Sequence, residues 1–233
     1  MRSITALIVV FFLAGSALAQ PGQPGKVIVK FCPPALIDIV TMPTIQGGVE
    51  VKLPHRLSWY TEAGIKYLNI DKPDTSFIGS GGFKLKTEIR CYLLPSKRYR
   101  RYNLPAKEDG QYVAVNAFYN YDTYNTQINY SLNKDNTTPR KDCFGVRKKV
   151  YGLNGVLGWE RAYSGRWMLD VYGGVGVRFR YVNTASKEFN PDRDELLHGI
   201  DLNIHDIRNK VDSKDGFSST ANLTLGFRIG YRL

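Results

Sequence analysis

The chain has 233 residues, 43% of them hydrophobic and 23% charged, which excludes a disordered polymer and leaves room for one large β domain. Its net charge of +11 would suit a nucleic-acid partner, but an exported chain seldom meets one, and the N-terminus argues for export. Three widely spaced cysteines, Cys32, Cys91 and Cys143, suggest neither a disulfide framework nor a zinc site, and nothing selects a bridged pair.

Residues 1–19 form the layout of a secretory signal peptide. Arg2 gives the positive start, ALIVVFFLAG the apolar run, and Ala17-Leu18-Ala19 the small-residue cleavage site. Gln20 is then the first mature residue, and 20–233 reads as a single domain. No later segment approaches the run of about 20 apolar residues that a spanning helix needs.

After the Pro/Gly leader QPGQPG, period-two alternation predicts eight strands near 26–32, 44–53, 56–69, 82–94, 111–121, 145–161, 166–182 and 218–233. Turn residues such as Pro33-Pro34, Pro54-His55 and Gly79-Ser80-Gly81-Gly82 separate them. The faces divide sharply. In the second strand Ile45, Val49 and Val51 oppose Gln46, Glu50 and Lys52, and in the third Leu57, Trp59, Ile65 and Tyr67 oppose Glu62 and Lys66. The fourth sets Phe83, Leu85, Ile89 and Cys91 against Lys84, Glu88 and Arg90. The sixth sets Tyr151, Leu157 and Trp159 against Glu160, and the seventh sets Trp167, Val177, Phe179 and Tyr181 against Asp170, Arg178 and Arg180. In the last, Leu225, Phe227, Ile229 and Tyr231 oppose Arg228 and Arg232.

Alternation alone does not say which face is buried. A soluble barrel turns the apolar face inward, and a membrane barrel turns it toward lipid. Three features favour the second. Glycines crowd the polar face (Gly48, Gly64, Gly152, Gly158, Gly174, Gly176, Gly226, Gly230), where a narrow barrel needs room for long side chains. Trp59, Tyr67, Tyr151, Trp159, Trp167, Phe179, Tyr181 and Tyr231 flank the apolar face, as interfacial girdles do. Connections alternate between short turns and long loops at 33–43, 70–81, 122–144 and 183–217, with 95–110 the one longer inner turn. The expected fold is therefore all-β: an eight-stranded antiparallel transmembrane barrel with short periplasmic turns and long extracellular loops. Its lumen is expected to be plugged by a charge network of Glu50, Glu62, Lys66, Glu88, Arg90, Glu160, Asp170, Arg178, Arg180 and Arg228.

On YGLNGVLGWERAYSGRWMLDVYGGVGVRFRYV and the terminal TLGFRIGYRL, the chain resembles the small outer-membrane barrels of Gram-negative bacteria, of the OmpA transmembrane-domain and OmpX type. It is most similar to uncharacterised exported barrels of Bacteroidota. The resemblance implies an outer-membrane location and a terminal strand read by the assembly machinery. Phe227, Ile229, Tyr231 and Leu233 match that signal, with Leu in the last place where Phe is commoner.

Signals for chemistry are weak. His55 lies in a turn, and His198 and His205 lie in the last loop with no readable nucleophile–base–orienter spacing. Asp212-Ser213-Lys214-Asp215-Gly216 fails the calcium-loop spacing, and phosphate-loop and metalloprotease motifs are absent. The sequence therefore predicts no catalytic residues, cofactor or metal. The basic segment 95–109 suits lipid phosphates or peptidoglycan, and 183–217, with eight acids and five Lys or Arg, suits a loop folded on itself or a partner surface. The expected role is a non-catalytic membrane-integrity or surface-interaction protein. Its partners would be outer-membrane lipid and a ligand or protein at loops 122–144 and 183–217, not nucleic acid. A small channel or transport accessory and a lipid A-modifying enzyme are the alternatives.

Overall fold

A computed structural model of the chain describes residues 27–33, 44–67, 77–93, 110–132, 139–164, 166–190, 192–196 and 215–233. The leader 1–19, the basic segment 95–109, His198 and His205 lie outside the described residues.

Among the described residues nine strands form: β1 (Val27–Phe31), β2 (Thr44–Lys52), β3 (Leu57–Tyr67), β4 (Phe77–Tyr92), β5 (Gly110–Ser131), β6 (Pro139–Ser164), β7 (Trp167–Ala185), β8 (Glu195–Leu196) and β9 (Gly216–Arg232). All pairings are antiparallel. Sequence neighbours from β1 to β7 pair in order, β7 pairs with β9, and β9 with β1, so eight strands make a ring-like sheet. The two-residue β8 is an addition, joined to the end of β5 through Tyr130 and Ser131. One end of the ring carries the tight β2–β3 and β6–β7 turns. There Leu57 N–H donates to Pro54 O at 3.4 Å across His55 and Arg56, which both take positive φ, 61° and 64°, as the two central residues of a turn with strand-matched twist require.

Around the charged part of the ring the polar side of the strands faces inward and the apolar side outward. Leu223 and Leu225 are 72% and 74% exposed, whereas Arg90 and Arg228 are 0% exposed. Arg90 and Arg228 are thus the largest fully buried side chains. Two-residue periodicity produces this partition directly, since one ladder register sends every second side chain to the same face.

Five strands run farther than the alternation predicts. β5 extends to Ser131 and β6 begins at Pro139, and they stay paired through Ser131–Pro139, so most of the predicted loop 122–144 is hairpin. β4 begins at Phe77, β7 reaches Ala185, and β9 begins at Gly216, which shortens the expected loops 70–81 and 183–217 as well. In this extension the inward face changes character. Tyr124, Ile128, Tyr130, Phe144, Val146 and Val182 form an apolar cluster that Phe189 completes from the following segment. Asp142 holds that segment down by accepting from the backbone N–H of Glu188 at 2.8 Å and of Phe189 at 2.9 Å. Sequence alternation misses the change because the outward partners there, Asn125, Gln127 and Asn129, are polar, the reverse of the pattern below.

Candidate functional site

The inward face near the turn end holds ten charged side chains in mutual contact. Five are basic (Lys30, Lys52, Lys86, Arg90, Arg228) and five acidic (Glu50, Glu62, Glu88, Glu160, Asp170), so the layer is neutral. Neutrality is what allows it to be buried: a charge taken from water is tolerated only with partners that satisfy it.

Arg90 and Arg228 are the hubs. Arg90 donates from Nε and Nη2 to Glu88 at 2.9 and 2.6 Å, and from Nη1 to Glu50 at 2.9 Å and Asp170 at 3.0 Å. Arg228 donates to Glu62 at 3.0 Å, Glu88 at 2.8 Å and Asp170 at 3.3 Å. The planar guanidinium fork suits this, since it can serve several carboxylates at once. Each plane also lies on tyrosine rings. Arg228 is 3.8 Å from the Tyr172 centroid and 4.4 Å from Tyr60, and Arg90 is 4.5 Å from Tyr60 and 4.6 Å from Tyr112. The tyrosine hydroxyls close remaining valences: Tyr112 donates to Asp170 at 2.8 Å, and Tyr92 accepts from Lys52 at 2.6 Å while donating to Glu50 at 2.7 Å.

Glu50, Glu160 and Asp170 converge closely enough to hold a cation. The Lys30 ammonium already lies among them, in contact with Glu160 and 2.9 Å from Asp170, and Arg90 shares the same oxygens. The chain thus supplies its own cation at the one such carboxylate cluster among the described residues.

The predicted network is only partly the observed one. Glu50, Glu62, Glu88, Arg90, Glu160, Asp170 and Arg228 come together. Lys66 is buried apart from them, paired with Asp122 at 2.5 Å. Arg178 and Arg180 lie on the inward side but higher, where their Nε groups donate to Thr220 at 2.8 Å and Ser218 at 3.2 Å. Arg178 is exposed and Arg180 half-buried, so neither joins the carboxylates. The cause is stagger along the strands: three inward positions, Tyr172, Gly174 and Gly176, separate Arg178 from Asp170 on β7. Lys30, Lys52 and Lys86 complete the layer; Lys52 stands on the predicted polar face as a counter-charge, whereas Lys30 and Lys86 lie outside the predicted network. Alternation around Ile28, Lys30 and Cys32 was the available signal for Lys30, and the same parity places Tyr60 between Ser58 and Glu62.

Of the inward glycines, Gly230 lies against the Lys30 side chain as a charge-filled lumen requires, whereas several others make room for rings and amides. A Cβ at Gly158 would collide with the Tyr112 ring, so the ring lies flat across the neighbouring strand only because that position is bare. Gly176 stands between Asn154 and Asn222 in one cross-strand row, where a Cβ would come 2.6 Å from Asn154 Oδ1. Without a side chain there, Asn222 donates to Asn154 at 2.8 Å and Asn154 to Asn116 at 3.0 Å, an amide ladder roofing the charged layer. Gly174 likewise meets Val156 and the Gly155 carbonyl, not an arginine.

Outside, Trp59, Trp159, Trp167, Tyr151 and Tyr181 are exposed and Phe179 and Tyr231 half-buried, all on the apolar side. Trp167 packs edge-on to Tyr231 at 5.2 Å, and Tyr151 against Phe179 at 5.5 Å. Tyr67 is placed in β3 opposite Gly81. His55, in the β2–β3 turn, is exposed, and the cysteines are free, with Cys32 buried and Cys91 and Cys143 exposed. No family model, curated protein or solved structure matches the chain.

Proposed function

We propose that the chain is a non-catalytic integral outer-membrane barrel whose interior is sealed near the turn end, acting as a membrane-integrity or surface-interaction protein. The observation that carries this reading is the inversion of polarity: a belt of exposed Val, Leu, Ile, Phe and Trp surrounds a neutral buried layer of ten charges. In water such a belt would be an aggregation surface far larger than soluble monomers expose. Against lipid it is the favourable face, and the ring arrangement leaves each main strand paired on both sides, as a chain in lipid requires. On β6 the outward run from Tyr151 to Trp159 fits the about 9–11 tilted residues that a strand needs to cross a bilayer core, with an aromatic residue at each end.

The charged layer and the amide ladder above it support a plug over a channel. The extended hairpin of β5 and β6, with the segment latched by Asp142, supports a surface-exposed interaction platform on the outer side. Fractionation tests the location. The protein is expected in the outer-membrane fraction of a Gram-negative host and to migrate differently in SDS gels before and after heating. Recovery from the soluble periplasm would overturn the reading.

A further inference from the structure

On the outward face of β5, β6 and β7 the chemistry changes row by row. Ladder register sets Leu153 level with Ala117 and Val177, and one outward step above them Tyr151 level with Tyr119 and Phe179. The next outward row runs from β4 to β9 as Phe83, Tyr121, Lys149, Tyr181 and Phe217. Lys149 is thus the one cation at the centre of four aromatic residues. Rings pack along this shelf, with Phe83 5.7 Å from Tyr121 and Phe179 stacked on Phe217 at 5.9 Å. Arg147 stands above Lys149 on β6, in the row of Thr123 and Asn183, and both cations are exposed. One row higher, Gly145 and Ala185 leave the face nearly bare. A hollow of about 450 Å³ opens there, with Thr123, Asn125, Arg147 and Ser186 among its lining residues.

We infer that this outward patch, centred on Arg147 and Lys149, docks the phosphate headgroup of a membrane lipid. Read along the strands, aliphatic residues give way to rings, then to two cations, then to a polar hollow. A bilayer interface presents its partners in the same order: acyl chains, the headgroup boundary where aromatic residues settle, phosphates, and water. A lysine within an aromatic row lays its stem on apolar surface and keeps its ammonium toward the wet side. Arginine adds a planar fork that matches phosphate oxygens in pairs, so the two cations are complementary to one phosphate group. The hydroxyls and amide around the hollow suit the polar remainder of a headgroup. Continuity with the apolar belt selects a lipid over a free anion, because the rings below Lys149 meet only a ligand that carries chains.

The inference rests on the membrane-barrel reading. The test uses the full protein in detergent and native mass spectrometry of retained lipid. Phosphatidic acid is the probe, and diacylglycerol with the same chains is its phosphate-free counterpart. Wild type is expected to retain phosphatidic acid about tenfold better than diacylglycerol, and Arg147→Ala, Lys149→Ala to remove most of that preference. The pair Arg140→Ala, Lys141→Ala removes the same charge from exposed positions farther along β6 and is expected to leave the preference intact. Equal retention of both lipids by a heat-modifiable wild type, or equal loss in the second pair, overturns the site alone. Displacement of phosphatidic acid by an equal concentration of glycerol 3-phosphate overturns it as well, by showing that a free anion suffices. Recovery of the protein in a soluble fraction overturns the membrane reading instead.

Discussion

At the residue scale, the buried arginines show how one side chain can organise several carboxylates. Arg228 reaches Glu62, Glu88 and Asp170 while stacking on Tyr60 and Tyr172. Replacing it with Leu keeps volume but strands three carboxylates, and Arg228→Leu is expected to destabilise the fold by about 3–5 kcal/mol. Urea unfolding in detergent or vesicles measures this, and an unchanged midpoint would count against the hub assignment. Gly158 allows a sharper test. Gly158→Ala forces a methyl into the Tyr112 ring and is expected to cost about 1–3 kcal/mol. In a Tyr112→Leu background most of that cost should vanish, and a double-mutant cycle reports the coupling. Equal costs in both backgrounds would place the strain elsewhere.

At the scale of elements, β9 and the β5–β6 hairpin carry opposite lessons. β9 alternates along its length, and the parity of Leu223, Leu225, Phe227 and Ile229 against Arg228 reads directly from the sequence. Beyond Asp122 the same rule gives the wrong polarity for β5: the inward face becomes Tyr124, Ile128 and Tyr130, with polar Asn125 and Gln127 outside. The sequence shows alternation there too, but its apolar phase has passed to the other face. There the two strands cover a small apolar core of their own. A charge scan along the outward face checks the boundary. Leu225→Arg is expected to cost about 2–4 kcal/mol in vesicles if it sits at mid-bilayer. Gln127→Arg is expected to be nearly neutral. Similar costs at both positions would remove the belt as a lipid-facing surface.

At the scale of the whole molecule, the three cysteines are natural probes of sidedness. Cys32 is buried in the ring, Cys91 lies on the exposed apolar belt, and Cys143 on the outward face of the extension. With single-cysteine variants in vesicles, a charged maleimide is expected to label Cys143 and to spare Cys91 and Cys32. In detergent or denaturant the protected sites should become reactive, and rapid labelling of Cys91 in vesicles would contradict the membrane placement. Planar-bilayer recordings complete the picture. A ten-charge plug predicts no steady conductance for the wild type, whereas stable channels that shrink or widen on altering Glu160 would favour the channel alternative.

The sequence alone determined the elements and their two-sidedness. Eight alternating segments, the parity of the charged residues within them, and the Trp residues on the apolar side are local properties, set by the two-residue repeat of a strand. Tertiary structure decided which charges meet. Lys30 on β1 reaches Glu160 and Asp170 on β6 and β7 only because β9 brings the first strand beside the last. Arg178 and Arg180 share the parity of Asp170 yet lie farther along β7 and pair with Thr220 and Ser218 instead. Parity is encoded residue by residue, but height in the ring depends on the register of all eight strands together, and no single segment carries that information.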